Sequence, residues 1–255
     1  MISRETLLER LDAIASSLKN THQALALMGL GSAGAETARM DAFSDLDFFV
    51  IALPGCRSRF LDNLDWLAET YPLAYSFMNT TDGYKVLFTD GIFCEFAVFE
   101  PDGLAQAVYS AGRIIWCAEN IDPKQFPLQN RGEIPPAREI SWLVGEALSN
   151  LYIGLLRHHR GEKLSATRFI QGYAVDRVVE LSGYIETPLP CEIDPFAPER
   201  RFECQYPNTS VHLSAMVQGY DHNRESARAI LAFLEENFPV NVEIRQKILD
   251  LCQAK

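Results

Sequence analysis

The sequence predicts an α/β (α+β) domain followed by an all-helical bundle. Up to about residue 125, short apolar runs are separated by glycine and Asp-Gly turn signals, with brief helical stretches between them. Beyond about residue 135, the periodic stretches repeat at helical spacing. Between the two, "NIDPKQFPLQNRGEIPPA" (120–137) is rich in proline and polar residues and reads as a linker. The expected domains are therefore 1–125 and 135–255, each of ordinary domain size.

Leu7, Leu8, Leu11, Ile14, Ala15 and Leu18 recur at helical spacing and predict a first helix over 4–19. "ALALMGLG" (24–31), an apolar run closed by glycine, predicts a buried strand. "DLDFFVIAL" (45–53) predicts a second, ended by Pro54-Gly55. Phe60, Leu61, Leu64, Leu67 and Ala68 predict one helix over 58–71. "PLAYSFMN" resumes extended structure. Thr81-Asp82-Gly83 turns the chain before "YKVLFT", and Asp90-Gly91 turns it again before "IFCEFAVF". "RIIWCA" (113–118) predicts the last strand. In the second half, Ile140, Leu143, Val144, Ala147, Leu148, Leu151 and Leu155 form the apolar stripe of a helix over 138–160. Phe169, Ile170, Tyr173, Ala174, Val178 and Leu181 predict another over 165–182. A proline-bearing loop (187–207) precedes helices near 223–237 and 240–253.

The 255 residues are 47% apolar, enough for a sizeable core. A formal net charge of -11 argues against sequence-independent binding to nucleic acid, whose phosphates would be repelled. The first 130 residues carry -8 and the remainder -3, so the second half is the expected source of cationic contacts. The six cysteines are scattered without a C-x-x-C pair, which argues against a zinc site. The N-terminus alternates charged and apolar residues and does not read as a signal peptide. The absence of any apolar run of about 18 residues predicts no membrane span. A reduced, cytoplasmic protein with mostly buried free thiols is expected, Cys94 and Cys117 lying inside apolar runs. Trp66, Trp116 and Trp142 sit among apolar neighbours and are expected in the core.

The chemistry concentrates in "GSAGAETARMDAFSDLDFF" (31–49). Residues i and i+2 of a strand share a face, so Asp45 and Asp47 point the same way and Leu46 points into the core. Two adjacent carboxylates repel unless a cation neutralises them. The natural cation is Mg²⁺, which prefers carboxylate and phosphate oxygens. Gly31 lets backbone approach a phosphate, and Ser32, at the start of a polar stretch, offers a hydroxyl and an amide to the same anion. Glu95 interrupts the apolar strand "IFCEFAVF", where an unpaired carboxylate is costly to bury. If that strand lies beside the one carrying Asp45 and Asp47, Glu95 adds a third carboxylate to the pair. A solvated strand entry, a capped turn and an edge strand are the plain alternatives.

Together, Leu30-Gly31-Ser32, a twelve-residue spacer, Asp45-Leu46-Asp47-Phe48 and Glu95 resemble the signature of the nucleotidyltransferase superfamily of the polymerase-beta type. "FSDLDFFV" (43–50) matches the Ser-Asp that is common before its motif. The likeness covers about the first 100 residues. The two-part layout looks most like the aminoglycoside and lincosamide antibiotic nucleotidyltransferases, with "LLRHHRGEKLSATRFIQGYAVDRVVEL" (155–181) and "PFAPERRFE" (195–203) resembling their second domain. Two departures stand out. Many relatives carry Ala-Arg-Gly after the Gly-Ser, where this chain has Ala33-Gly34-Ala35-Glu36, leaving Arg39 as the nearest arginine. The third carboxylate is often aspartate and is here the longer Glu95.

The resemblance implies an α/β (α+β) nucleotidyltransferase domain with a mixed sheet at 1–125 and a helical, substrate-binding bundle at 135–255. It implies transfer of a nucleoside monophosphate from an NTP, ATP first, to a hydroxyl of a small molecule, with release of pyrophosphate. Two Mg²⁺ ions would be held by Asp45, Asp47 and Glu95, and the nucleotide by Gly31, Ser32 and Arg39. Glu95 is the first choice for general base and Glu146 the alternative. Arg157, Arg160, Lys163, Arg168, Arg177 and the Arg200-Arg201 pair are candidates to hold the triphosphate, against a plain role in solvating helix faces. A nucleotide-binding module without turnover, and nucleotidylation of a protein, are the alternatives. The sequence leaves open whether two copies form a homodimer around a shared cleft, and it names neither the acceptor nor the NTP.

Overall fold

The computed structural model describes residues 2–109, 111–130, 138–191, 197 and 199–254. The chain divides into two units, Met1–Ile134 and Pro135–Lys255.

In the first unit, helix α1 (Arg4–Thr21) begins where Ser3 Oγ accepts the Thr6 amide at 3.2 Å and ends at His22, whose φ of 54° is left-handed. Its Leu7, Leu11, Ile14 and Leu18 are buried against one face of the sheet. Each such leucine contributes about 1.5–3 kcal/mol of apolar burial. The sheet holds β1 (Ala24–Leu30), β2 (Leu46–Ala52), β3 (Leu73–Thr80), β4 (Gly83–Phe88), β5 (Phe93–Phe99) and β6 (Arg113–Cys117) in the order β3-β4-β5-β2-β1-β6. It is mixed: β2 and β5 run parallel, and the other pairings are antiparallel.

The two faces of this sheet differ. Leu46, Phe48 and Val50 alternate onto the α1 face with Cys94, Phe96 and Val98, and the Phe48 and Phe96 rings stack at 5.3 Å. On the opposite face, Ile51, Phe49 and Phe99 form a second core with Leu104 of α4 (Pro101–Leu104), Tyr109 and Phe126. That core covers the C-terminal ends of β2 and β5. Their N-terminal ends carry polar residues on this face, and it is there that the carboxylates stand.

Three local expectations are corrected. The single helix over 58–71 is two short ones, α2 (Arg57–Asp62) and α3 (Asp65–Ala68). Asn63 is extended at the break, and its Oδ1 accepts the Asp65 amide at 3.0 Å, restarting the helix as a cap does. The linker reading of 120–137 fails over its first part. Phe126 is buried, Tyr109 Oη donates to the Pro127 carbonyl at 2.6 Å, and Tyr109 bridges Asn130, so this stretch is packed into the first unit. Residues 131–137 lie outside those described. The thiols are all free, but only Cys94 and Cys252 are buried; Cys56, Cys117 and Cys191 are half-buried and Cys204 is exposed.

In the second unit the described elements are helical. The long helix α5 (Ile140–His159) buries Leu143, Val144, Ala147, Leu148, Leu151 and Leu155, while Ile140 lies at the exposed edge of the predicted stripe. Helices α6 (Lys163–Thr167) and α7 (Val175–Leu181) are joined through a π-helical stretch, Arg168–Ala174. This wider stretch buries Ile170 and Ala174 and leaves the predicted core residue Tyr173 exposed. A Cβ on Gly154 would lie 2.5 Å from Ile170 Cγ1, so α5 packs at close range there. Short helices α8 (Phe202–Gln205), α9 (Pro207–Ser210) and α10 (Leu213–Met216) precede α11 (Asn223–Asn237) and α12 (Val242–Gln253), which close the core through Ile230, Leu234 and Ile248. Trp142 is exposed rather than in the core, with the Arg138 guanidinium 4.4 Å from its ring centroid. Of the stretch 195–203, whose sequence resembles part of a second domain, only 197 and 199–203 are described. Among the described residues, no helix is long and apolar enough to cross a membrane.

Candidate active site

The strand register sets two of the predicted residues, Asp47 and Glu95, side by side. Asp47 lies beside Glu95 in the parallel β2–β5 pairing, and Glu95 lies beside Lys85 in the antiparallel β4–β5 pairing. Asp45 precedes β2 by one residue and is exposed; Leu46 is fully buried; Asp47 is half-buried. Leu46 in the core with Asp47 on the other face is as the sequence predicted, and the strand carrying Glu95 does neighbour the one carrying Asp47.

Glu95 is not alone. Lys85 Nζ lies 3.2 Å from its Oε2, and Asn79 Nδ2 donates to its Oε1 at 2.8 Å. Neither partner was identified from the sequence. The only local sign of Lys85 is a charge inside the strand "YKVLFT", and its pairing with Glu95 is set by register. Lys85 and Glu95 are each more than two-fifths exposed, so this ion pair is worth about 0–1 kcal/mol and is readily exchanged for another cation.

The turn after β1 supplies the other wall. Gly31–Ala33 forms one 3₁₀ turn and Thr37–Arg39 another, in place of a longer helix. Gly31 has φ +50°, a conformation that favours glycine. A Cβ at Gly31 would lie 3.4 Å from Arg39 Nη2 and 3.7 Å from Asp47 Oδ2, so a cation and a carboxylate flank the bare backbone at this point. Arg39 Nε donates to Glu36 Oε2 at 2.5 Å. Ser32 is buried, so its hydroxyl is less open to a ligand than the sequence suggested.

The turn is seated on β1. A Cβ at Gly29 would lie 2.2 Å from the Ala33 carbonyl oxygen, and one at Gly34 would lie 2.7 Å from the Gly29 oxygen. Arg113 of β6 fixes the turn from the side, donating from Nη2 to the Ala33 carbonyl at 3.2 Å and from Nε to the Gly34 carbonyl at 3.3 Å. The sequence showed Arg113 only as a charge at the head of an apolar strand. Gly29→Ala is expected to lift the turn off the strand and cost about 1–3 kcal/mol, as overpacking does. A urea midpoint unchanged by Gly29→Ala would show that the turn is not seated there.

On the other side of the sheet, burial pushes the Cys94 thiol up to about 12; the Arg10 charge opposes the shift, and Asp47 and Asp45 add to it. Cys94 therefore stays protonated and unreactive at neutral pH. Above the ordinary thiol range the unfolded chain would ionise at this position before the folded one, so this contribution falls as pH rises towards 12.

Among the described residues, no three His, Cys, Asp or Glu side chains stand close enough to hold a metal ion. The expected Asp45, Asp47 and Glu95 cluster is not drawn together, and Glu95 is turned to Lys85 and Asn79. The donor chemistry nevertheless fits a hard divalent ion. Three carboxylates are present, and Asn79 Oδ1, beside Glu95, is buried without a hydrogen-bond partner.

Most of the cationic candidates in the second unit have partners within it. Arg160 pairs with Glu162, Lys163 with Asp221 and Arg177 with Glu180. Arg157 donates to Ser165 and lies over the Phe169 ring. Arg168 is exposed, and Glu146 is half-buried on α5.

No protein-family model and no curated protein matches the chain. Similar solved structures include an aminoglycoside 6-adenyltransferase from Bacillus subtilis, with 13% identity over 100% of this chain and 93% of that one and a TM-score of 0.32. A spectinomycin adenyltransferase AAD(9) from Enterococcus faecialis, solved with ATP and spectinomycin, has 11% identity over 96% and 97% and a TM-score of 0.32. The CD-NTase CdnG of Bradyrhizobium diazoefficiens, solved with GTP, has 14% identity over 98% and 95% and a TM-score of 0.28. The solved structures to which this chain is similar thus include two adenyltransferases and a CD-NTase.

Proposed function

We propose that the first unit is a nucleotidyltransferase domain that moves a nucleoside monophosphate from an NTP, ATP first, to a hydroxyl of a small molecule. An aminoglycoside or lincosamide-like acceptor is the leading class, and the helical unit is its expected binding domain. The observation that carries this reading is the register that sets Glu95 beside Asp47, with Asp45 two residues earlier and Gly31 against the Asp47 carboxylate.

Asp45 and Asp47 would hold Mg²⁺ through their carboxylate oxygens, with Glu95 as a further ligand. Bound Mg²⁺ would stabilise charge on the attacking and leaving oxygens of an in-line displacement. Gly31 leaves room for a phosphate against the backbone, and Arg39 adds a positive charge at the same point. As the acceptor oxygen bonds to the α-phosphorus and the bond to pyrophosphate breaks, the hydroxyl proton passes to a Glu95 carboxylate oxygen. A second reading, a nucleotide-binding module without turnover, is favoured by the Lys85–Glu95 ion pair, since a lysine then occupies the base.

Calorimetric titration of ATP and GTP, with and without Mg²⁺, tests the shared part of both readings. Expected is Mg²⁺-dependent binding that the Asp45→Asn/Asp47→Asn variant loses. No binding of either nucleotide would overturn the proposal.

A further inference from the structure

A cavity lies beside the turn that follows β1. It has a volume of about 670 Å³, within the ordinary range for small-molecule sites, and is formed entirely by the first unit. One wall is the turn itself, at Gly34 and Thr37. The other walls are apolar, from Ile114, Phe126 and Pro127. Arg113 and Lys124 are the charged residues of its lining, and no carboxylate joins them. In a chain of net charge -11 that sign is selective. By contrast, the cavity beside Gly55 sets Asp82, Glu100 and Asp102 around Arg57, and the one at His158 mixes Lys163, Arg224 and Arg228 with Asp221 and Glu225, so both carry carboxylates in their linings. The nearest acids along the chain are engaged elsewhere: Glu36, between Ala35 and Thr37, accepts from Arg39 Nε, and Asp122 Oδ1 accepts the Lys124 amide at 3.0 Å.

We propose that this cavity binds a small organic carboxylate with an apolar ring body. The apolar walls take the ring, and the two cations take the anionic group. Arg113 is suited to both tasks it would have. Its guanidinium has five N–H donors, and the Ala33 and Gly34 carbonyls engage only Nη2 and Nε. A planar fork matches a carboxylate in geometry as well as charge. The occupant would share that guanidinium with the turn, so the cavity is joined to the candidate active site by one side chain. The binding itself does not depend on the nucleotidyltransferase reading.

The test uses 2-naphthoate as the probe and 2-naphthalenemethanol as its neutral counterpart, titrated against the whole chain by calorimetry. Expected is saturable binding of one naphthoate, with the alcohol weaker by about tenfold or more. Lys124 is exposed, so Lys124→Glu should fold normally and weaken naphthoate by about tenfold. Lys247→Glu, an equal charge change at an exposed position of α12, should leave binding within about twofold. Asp45→Asn/Asp47→Asn should also leave naphthoate unchanged, which separates this site from nucleotide binding. Equal affinity for acid and alcohol, equal loss in the two lysine variants, or no saturable binding of naphthoate overturns the proposal.

Discussion

Asp47→Asn is expected to lower pyrophosphate release from ATP, with aminoglycosides as acceptors, by about a thousandfold or more. The change removes one charge and little volume. Leu46 and Phe48, on either side of it, are buried in the α1-facing core and should hold the strand in place. Stability should therefore stay within about 1 kcal/mol of the wild type, so that lost turnover reports on chemistry. Asp12→Asn, on the exposed face of α1, is the matched control and should leave turnover unchanged. An Asp47→Asn chain that keeps turnover within about tenfold of wild type would remove this carboxylate from the mechanism, since tenfold is only about 1.4 kcal/mol. A wild type that binds nucleotide and releases no pyrophosphate would favour the module.

The largest effect on stability is expected at Asp90. Its Oδ2 lies 2.6 Å from Arg10 Nη2, and the Arg10 side chain is 6% exposed. The guanidinium is held against the rings of Phe88 and Tyr71, 4.3 and 4.5 Å from their centroids, and its Nη1 is buried without a partner. Asp90→Asn strands that charge, and breaking a buried pair from one side costs about 3–5 kcal/mol. Asp90 keeps 22% exposure, which places the expected loss at the lower end, about 3 kcal/mol. Arg10→Met with Asp90→Asn replaces the stranded cation by an apolar chain and should recover part of the loss. Urea unfolding of the double variant and of each single variant, Arg10→Met and Asp90→Asn, decides. If the double variant loses as much as the sum of the single ones, the pair is not coupled.

What the sequence made legible follows from local periodicity. The alternation in "DLDFFVIAL" placed Asp45 and Asp47 opposite Leu46, and the Asp-Gly turns marked the strands either side of them. What it could not supply was register. Nothing near Glu95 announces that Lys85 and Asn79 reach its two oxygens, because each contact is fixed by pairing between strands. Arg113 holds carbonyls far back along the chain for the same reason. The proline-rich stretch misled because its anchor, Phe126, is a single apolar residue among polar ones. The break at Asn63 was missed because the apolar spacing runs straight through it, while the side chain of Asn63 caps a new helix.

The parallel pairing of β2 with β5 also bears on the order in which the sheet is expected to close. The antiparallel pairs β3–β4 and β4–β5 join neighbours in the chain and can close through short turns. Asp47 and Glu95 flank that whole meander, so their strands meet only after a longer loop has been closed, at a greater entropic cost. The pairing that brings Asp47 to Glu95 is thus expected to form after the meander that carries Glu95. On the proposed function, a chain still folding would hold Asp47 and Glu95 apart and gain its nucleotide site only once β2 and β5 pair.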